Sequence, residues 1–173
     1  MDISSEIRKK ISNGKGYRPC AGIMLFSRIG KIWVGQRIDS VNAWQMPQGG
    51  INENEEPLNA AIRELHEEIG TDNVRLLSES KEWLKYDLPS EIVTQIWGGK
   101  YKGQTQKWFA FLFLGEDHEI DVHNVDEPEF QSWKWISISE LVGLAIDFKK
   151  PVYKAVVSEF NKISQSLASS DNN

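Results

Sequence analysis

Three glutamates, Glu64, Glu67 and Glu68, are spaced so that a helix would place their carboxylates side by side. Like charges one turn apart repel one another, and Arg63 is expected toward the opposite side of the acidic arc. Such a cluster is either a solvated acidic face or a site for a divalent cation. A cation such as Mg²⁺ prefers oxygen ligands and would neutralise the repulsion. The three glutamates alone leave both interpretations open.

The segment around these glutamates has the pattern of an amphipathic helix over Pro57–Ile69. Proline suits the first turn of a helix, and Gly70 marks its end. The apolar side chains at helical spacing, which are expected to face the core, are Leu58, Ala61, Ile62, Leu65 and Ile69.

A loop before this helix completes a longer motif. Gly49 is followed by five residues, Glu55, seven residues and then Arg63-Glu64-Leu65-His66-Glu67-Glu68-Ile69-Gly70. This arrangement resembles the Nudix box, G-x5-E-x7-R-E-U-x-E-E-x-G-U, where U is aliphatic. Every fixed polar or glycine position matches, and only Thr71 departs from the aliphatic residue at the end. The loop therefore favours the metal-site interpretation.

The resemblance implies an α/β fold, a Nudix-type α/β/α sandwich with a mixed β-sheet. It implies hydrolysis of nucleoside diphosphates linked to another group, with two or more Mg²⁺ or Mn²⁺ ions. The three glutamates would be metal ligands, and Glu55 and Arg63 would form a buttressing ion pair. Glycine at Gly49 would let the backbone approach metal or phosphate, and Gly70 would be structural.

Other segments are similar to the bacterial RNA pyrophosphohydrolases and the related dinucleoside polyphosphate hydrolases. They lie at residues 16–19, 44–51, 83–89, 103–109 and 128–130. In that branch the Glu of a Pro-Glu-Phe segment supplies a further carboxylate to the metals, or the base. Here that residue is Glu129. The sequence does not decide whether Glu68 or Glu129 takes the proton.

Phosphate that is not covered by metal needs cationic partners. The candidates in or beside the family segments are Arg18, Arg37, Lys85 and Lys107. Their alternative role is surface solubility.

Three further side chains are candidates for contacts with the nucleotide. Tyr86 either bonds to phosphate or is a strand residue with a solvated hydroxyl. Ile146 and Phe148 fall where the branch stacks its first base, and their alternative is ordinary core packing.

Length and composition indicate one globular domain. The chain has 173 residues, 40% of them hydrophobic, and a net charge of −5. We expect an extension at 1–15 with a short helix at 3–11, a single domain at 16–163 and a flexible polar tail at 164–173. No membrane span or secretory signal is readable, and one cysteine cannot form an intramolecular disulfide, so a cytoplasmic protein is expected.

Strand-like and helix-like segments alternate along the chain, which predicts a mixed sheet between helices. A second helix is predicted at 152–163. Strands are predicted at 21–26, 32–34, 74–77, 83–86, 107–114 and 130–136, with a hairpin turn at 28–31.

Three functions remain possible at this point. The first is an RNA 5′-pyrophosphohydrolase acting on 5′-triphosphorylated RNA, and the second is a dinucleoside polyphosphate hydrolase. The third is an inactive nucleotide-binding module, which is disfavoured because all three box glutamates are present. The acidic net charge argues against a protein that coats duplex nucleic acid. No protein partner can be identified from the sequence.

Overall fold

The computed structural model describes residues 16–40 and 42–171, so the predicted helix at 3–11 lies outside the described residues. Its eight strands form one mixed sheet in the order β3-β2-β1-β7-β5, with β4 on β1, β6 on β7 and β8 on β2. Only β1 and β7 pair in parallel among these strands. The strands are β1 (Tyr17–Phe26), β2 (Ile32–Arg37), β3 (Trp44–Gln45), β4 (Gln48–Gly50), β5 (Val74–Glu79), β6 (Leu84–Asp87), β7 (Gly103–Phe113) and β8 (Phe130–Ile136).

Helices cover both faces of the sheet, which confirms the α/β/α sandwich. The described helices are α1 (Pro57–Ile69), α2 (Ser90–Val93), α3 (Leu141–Leu144) and α4 (Lys150–Ser170). The α1 face buries Leu65 and Ile69 against the sheet, whereas the α4 face buries Val156 and Phe160. None of the helices in the described part of the chain is long and apolar enough to cross a bilayer.

The central strands are apolar because both of their faces are covered. In β7, Phe109 and Phe111 contact the α1 layer, and Trp108 and Ala110 contact the α4 layer. These side chains are at most 1% exposed. The nearly continuous apolar run at 107–114 therefore belongs to a strand that is buried on both faces, as predicted.

Two short strands before the acidic helix, β3 and β4, were not predicted. Gln48–Gly50 forms β4, which pairs antiparallel with β1 through Cys20↔Gly50 and Gly22↔Gln48. Glycine and glutamine have little intrinsic preference for strands, so the pairing with β1 determines this conformation. It fixes the loop against the centre of the sheet.

The last helix corrects the predicted flexible tail. Helix α4 continues to Ser170, beyond the expected end at residue 163. Leu167 packs against the core one turn after Ile163, so the apolar stripe continues. Ser164 Oγ also donates a hydrogen bond of 2.7 Å to the Gly30 carbonyl, which attaches this part of the helix to the β1–β2 turn.

Candidate active site

Helix α1 presents its glutamates where the β4 loop and the loop before β8 meet. The helix begins with Pro57 in its first turn and ends at Gly70, whose φ is 81°. A Cβ at Gly70 would lie 2.9 Å from the Asp121 carbonyl oxygen, so glycine satisfies both the backbone conformation and the close approach. The cleft beside the helix has a volume of about 490 Å³, and its acidic lining includes Glu64, Glu67, Glu68 and Glu129.

Glu68 is the most buried of these carboxylates, with 3% of its surface exposed. Its Oε2 accepts a hydrogen bond of 3.2 Å from the Gln48 backbone N–H, whereas its buried Oε1 has no hydrogen-bond partner. Burial raises the pKa of Glu68 well above its ordinary value, and the nearby charges of Glu129 and Glu64 raise it further. Positive charge brought close to this carboxyl group would therefore stabilise its ionised form.

Arg63 holds the acidic side of the helix together. Its Nε and Nη2 donate to the two Glu55 carboxylate oxygens at 2.8 and 2.9 Å, which is the ion pair that the resemblance implies. Its Nη1 lies 2.9 Å from Glu64 Oε1 and 3.3 Å from Glu67 Oε1. The sequence-based placement of Arg63 opposite the acidic arc was wrong, because its long side chain reaches back to both carboxylates. Its Nη2 also donates to the Gly50 carbonyl at 2.8 Å, linking helix and loop.

Gly49 lies directly against the helix. A Cβ at this position would overlap the carboxylate of Glu64, so only glycine allows this contact. Burial raises the pKa of Glu64, while Arg63 opposes that change. The loop thus holds one carboxylate by close packing and a second, Glu68, by a backbone hydrogen bond.

The chemistry of these side chains fits a divalent cation. Carboxylate oxygens are the ligands that Mg²⁺ and Mn²⁺ favour, and a cation would satisfy the orphaned Glu68 Oε1. Within residues 16–40 and 42–171, no three acidic, histidine or cysteine side chains already form a ready-made metal cluster. Arg63 pairs with Glu64 through Oε1, which leaves the second oxygen of that carboxylate available to a cation.

A polar row crosses the sheet on the α4 side, next to the β4 loop. Arg18 of β1 pairs in register with Gln104 of β7, and Gln104 pairs with Tyr86 of β6. The Arg18 guanidinium lies against Gly50 and 5.1 Å from the centre of the Trp97 ring. The structure therefore brings two of the predicted nucleotide-binding residues, Arg18 and Tyr86, to one row beside the acidic helix.

Lys149 is a cationic residue near Glu68 and Glu129 that the sequence analysis missed. It is 6% exposed, and its Nζ donates a hydrogen bond of 2.8 Å to Gln45 Oε1. Arg37 Nη1 reaches the same oxygen at 3.3 Å, and Arg37 Nε bonds Asp39 at 2.6 Å. Burial and the charge of Arg37 lower the pKa of Lys149 to about 8. Its position directly after the candidate Phe148 was the available signal.

Lys85 and Lys107 are not brought into the polar row. They directly precede or follow Tyr86 and Gln106 along their strands, and side chains alternate between the faces of a strand. Lys85 Nζ lies 5.2 Å from the centre of the Tyr17 ring, and Lys107 Nζ donates to the Ser80 carbonyl. The strand period therefore turns these two lysines away from the row.

The candidate base-stacking residues lie at the start of α4. The Phe148 ring is 5.6 Å from the Tyr86 ring, and it packs against the edge of the α4-side core. Ile146 is 40% exposed. An apolar surface thus borders the polar row, as a nucleobase site requires.

Comparison with known proteins agrees with this geometry. The NUDIX domain model matches residues 16–158. The RNA pyrophosphohydrolase of Wolbachia pipientis subsp. Culex pipiens (strain wPip) is 50% identical over 88% of this chain and 94% of that protein. The RNA pyrophosphohydrolase of Rhodospirillum rubrum is 51% identical over 84% of this chain and 88% of that protein.

Solved structures share the fold at low sequence identity. The E. coli dihydroneopterin triphosphate pyrophosphohydrolase superposes with a TM-score of 0.64 at 19% identity, covering 84% of this chain and 99% of that chain. A C. elegans Ap4A hydrolase binary complex gives a TM-score of 0.61 at 18% identity, covering 84% of this chain and 98% of that chain. These similarities support the fold alone.

Proposed function

Because the chain belongs to the Nudix family and hydrolyses phosphoanhydride bonds, we propose that its substrate is the 5′-triphosphate end of RNA. The observation that carries this proposal is about 50% identity to RNA pyrophosphohydrolases along most of both chains. The product would be a 5′-monophosphate RNA end. The acidic net charge of −5 suits an enzyme that grips only the first nucleotides.

Nudix hydrolases generally need divalent metal ions, and we infer that Glu64, Glu67, Glu68 and Glu129 would hold two or more Mg²⁺ or Mn²⁺ ions here. When bound, such ions would neutralise phosphate charge and lower the pKa of a coordinated water. The unpartnered Oε1 of Glu68 and the tight approach of Gly49 to Glu64 support this assignment.

The chain's own residues would then orient the polyphosphate and move one proton. Arg18, Arg37 and Lys149 would bind phosphate oxygens beside the acidic helix. Arg18 lies against Gly50 of the box loop, and Arg37 and Lys149 converge on the Gln45 amide oxygen. Glu68 or Glu129 would accept the proton of the attacking water.

The first nucleobase would pack against Phe148 and Ile146 at the edge of the cleft. Phe148 contacts Tyr86, and this places an apolar ring beside the polar row. Tyr86 would donate its hydroxyl to the phosphate.

A matched pair of kinetic assays tests the proposed substrate. With Mg²⁺, kcat/KM is compared for a short RNA with an unpaired 5′-triphosphate end and for diadenosine tetraphosphate. Faster release of pyrophosphate from the RNA is expected. A preference for the dinucleotide would replace this proposal with dinucleoside polyphosphate hydrolysis, and turnover of neither substrate would contradict both.

A further inference from the structure

Three glutamines and a tryptophan form a hydrogen-bonded chain next to the polar row, on the α4 side of the sheet. Trp108 Nε1 donates to Gln106 Oε1 at 3.1 Å. Gln106 Nε2 donates to Gln48 Oε1 at 2.6 Å and to Gln104 Oε1 at 2.8 Å. Trp108, Gln106 and Gln104 are all buried, so these bonds have no competition from bulk water.

The indole N–H of Trp108 sets the direction of donation along this series of hydrogen bonds. An indole N–H can only donate, whereas a glutamine amide can face a neighbour with either its oxygen or its nitrogen. Gln106 must therefore turn its oxygen to Trp108 and its NH₂ group to Gln48 and Gln104. Those two glutamines accept through their oxygens, so their own NH₂ groups point away from Gln106.

The outward NH₂ groups lie among the residues proposed to bind phosphate. Gln104 sits in the cross-strand row between Arg18 and Tyr86. Gln48 joins the acidic helix through its backbone, and its side chain acts as a hydrogen-bond donor on Tyr86, which opposes the effect of burial on the pKa of that hydroxyl. One branch of the hydrogen-bonded chain thus ends in the Gln104 amide beside Arg18, and the other ends on the Tyr86 hydroxyl.

We propose that Trp108 is a positioning residue for substrate binding: its N–H orients Gln106, and through it Gln48 and Gln104. Gln104 then presents an amide donor to a phosphate oxygen, and Gln48 donates to Tyr86, whose own O–H is left to donate to the phosphate. Trp108 itself touches no substrate. With the opposite orientation, Gln104 would present an oxygen, which repels an anionic ligand, and Gln48 would accept the Tyr86 hydroxyl hydrogen. The proposal rests on the proposed function in one respect, that a phosphate group binds beside Arg18 and Tyr86.

The substitution Trp108→Phe tests this role because it removes the N–H and changes no atom of the cleft surface. We expect KM for the triphosphorylated RNA to rise about 3- to 10-fold, the effect of one lost hydrogen bond, with kcat within about two-fold of the parent value. Trp135→Phe is the matched control. It removes an indole N–H that bonds Asp117 at 3.0 Å on the other side of the sheet, and unchanged kinetics are expected.

A double-mutant cycle separates orientation from general destabilisation. In a Gln48→Met/Gln104→Met background the oriented amides are gone, so adding Trp108→Phe should change KM by less than about two-fold. The proposal is overturned if Trp108→Phe raises KM in that background as much as it does in the parent. It is also overturned if folded Trp108→Phe protein has the parental KM. Should Trp108→Phe fail to fold, 3-benzothienylalanine at position 108 retains the ring shape without the N–H, and the same KM change is expected.

Binding without turnover distinguishes this proposal from the proposed function. The affinity of the full chain for imidotriphosphate, a non-hydrolysable triphosphate, is measured by calorimetry with Mg²⁺. Trp108→Phe should raise Kd about 3- to 10-fold, and an unchanged Kd would refute the positioning role. Failure to hydrolyse RNA would contradict the proposed function alone.

Discussion

Lys149 Nζ and Gln45 Oε1 form a buried hydrogen bond of 2.8 Å that joins the start of α4 to strand β3. The amide oxygen is shared with Arg37, so two cationic groups converge on one acceptor. No carboxylate accepts a hydrogen bond from Lys149 in the described residues, and its charge is therefore available to an anionic ligand. Because burial and the charge of Arg37 lower its pKa to about 8, the charge of Lys149 changes with pH near that value.

We predict that kcat/KM for RNA falls as pH rises through about 8, because the pKa of Lys149 is lowered to about 8 and the neutral amine binds phosphate weakly. Lys149→Met should lower kcat/KM at pH 7 by about 10- to 100-fold and remove this limb of the profile. Lys154→Met, at an exposed position of α4, is the control. A profile that keeps its alkaline limb in Lys149→Met would contradict the assignment.

The same group should affect folding stability in a defined pH range. The pKa of Lys149 is about 8 in the folded protein and 10.5 for an ordinary lysine, so the unfolded chain binds more protons between these values. Its contribution to the free energy of unfolding should therefore rise from pH 8 to 10.5. Urea unfolding of both proteins across this range measures the effect. The free energy of unfolding of Lys149→Met minus that of the parent should decrease as pH increases.

Glu68→Gln should reduce hydrolysis by at least about 100-fold while the fold is retained. The amide can still accept the hydrogen bond from Gln48, and it removes a carboxyl group whose pKa burial raises. Above pH 4.5, the parent loses stability as pH rises toward the folded-state pKa, since charging the buried carboxyl is unfavourable. The variant should lack this loss and melt at the same or a higher temperature in EDTA. Glu53→Gln, at an exposed position, is the control. If folded Glu68→Gln protein turned over substrate as fast as the parent, the metal-site role of Glu68 would be excluded.

Gly49→Ala should abolish activity because its Cβ would overlap the Glu64 carboxylate. We expect a loss of at least about 10-fold in apparent Mn²⁺ affinity, since the ligand is displaced. Gly143→Ala is the matched control, as a Cβ there meets no atom within 4 Å. Titration of both variants with Mn²⁺ under electron paramagnetic resonance measures the difference, and equal affinities would argue against Glu64 as a ligand.

Arg63→Lys should lower the free energy of unfolding by about 2 kcal/mol, because lysine cannot reproduce the paired hydrogen bonds to Glu55. The loop contact through the Gly50 carbonyl would also weaken. Arg28→Lys tests a guanidinium whose hydrogen bond is to the Leu114 carbonyl, and a smaller effect is expected. Equal urea midpoints for the two variants would show that the Arg63 network contributes little stability.

Local sequence pattern was enough to predict the chemistry of the acidic helix. Helical spacing fixes which side chains share a face, so Pro57–Ile69 and its glutamates follow from local pattern. The double-sided burial of β7 was also readable, because a strand covered on both faces is apolar throughout. The box motif indicated the family, and the comparison with known proteins confirmed it.

Which polar residues gather beside the acidic helix depends on long-range packing. Strand alternation turned Lys85 and Lys107 away, whereas the turn into α4 buried Lys149 against Gln45. The pairing of β4 with β1 placed Gln48 over the chain that begins at Trp108. These contacts join residues far apart in sequence, and no local spacing encodes them, because the register of the sheet and the packing of its layers bring them together.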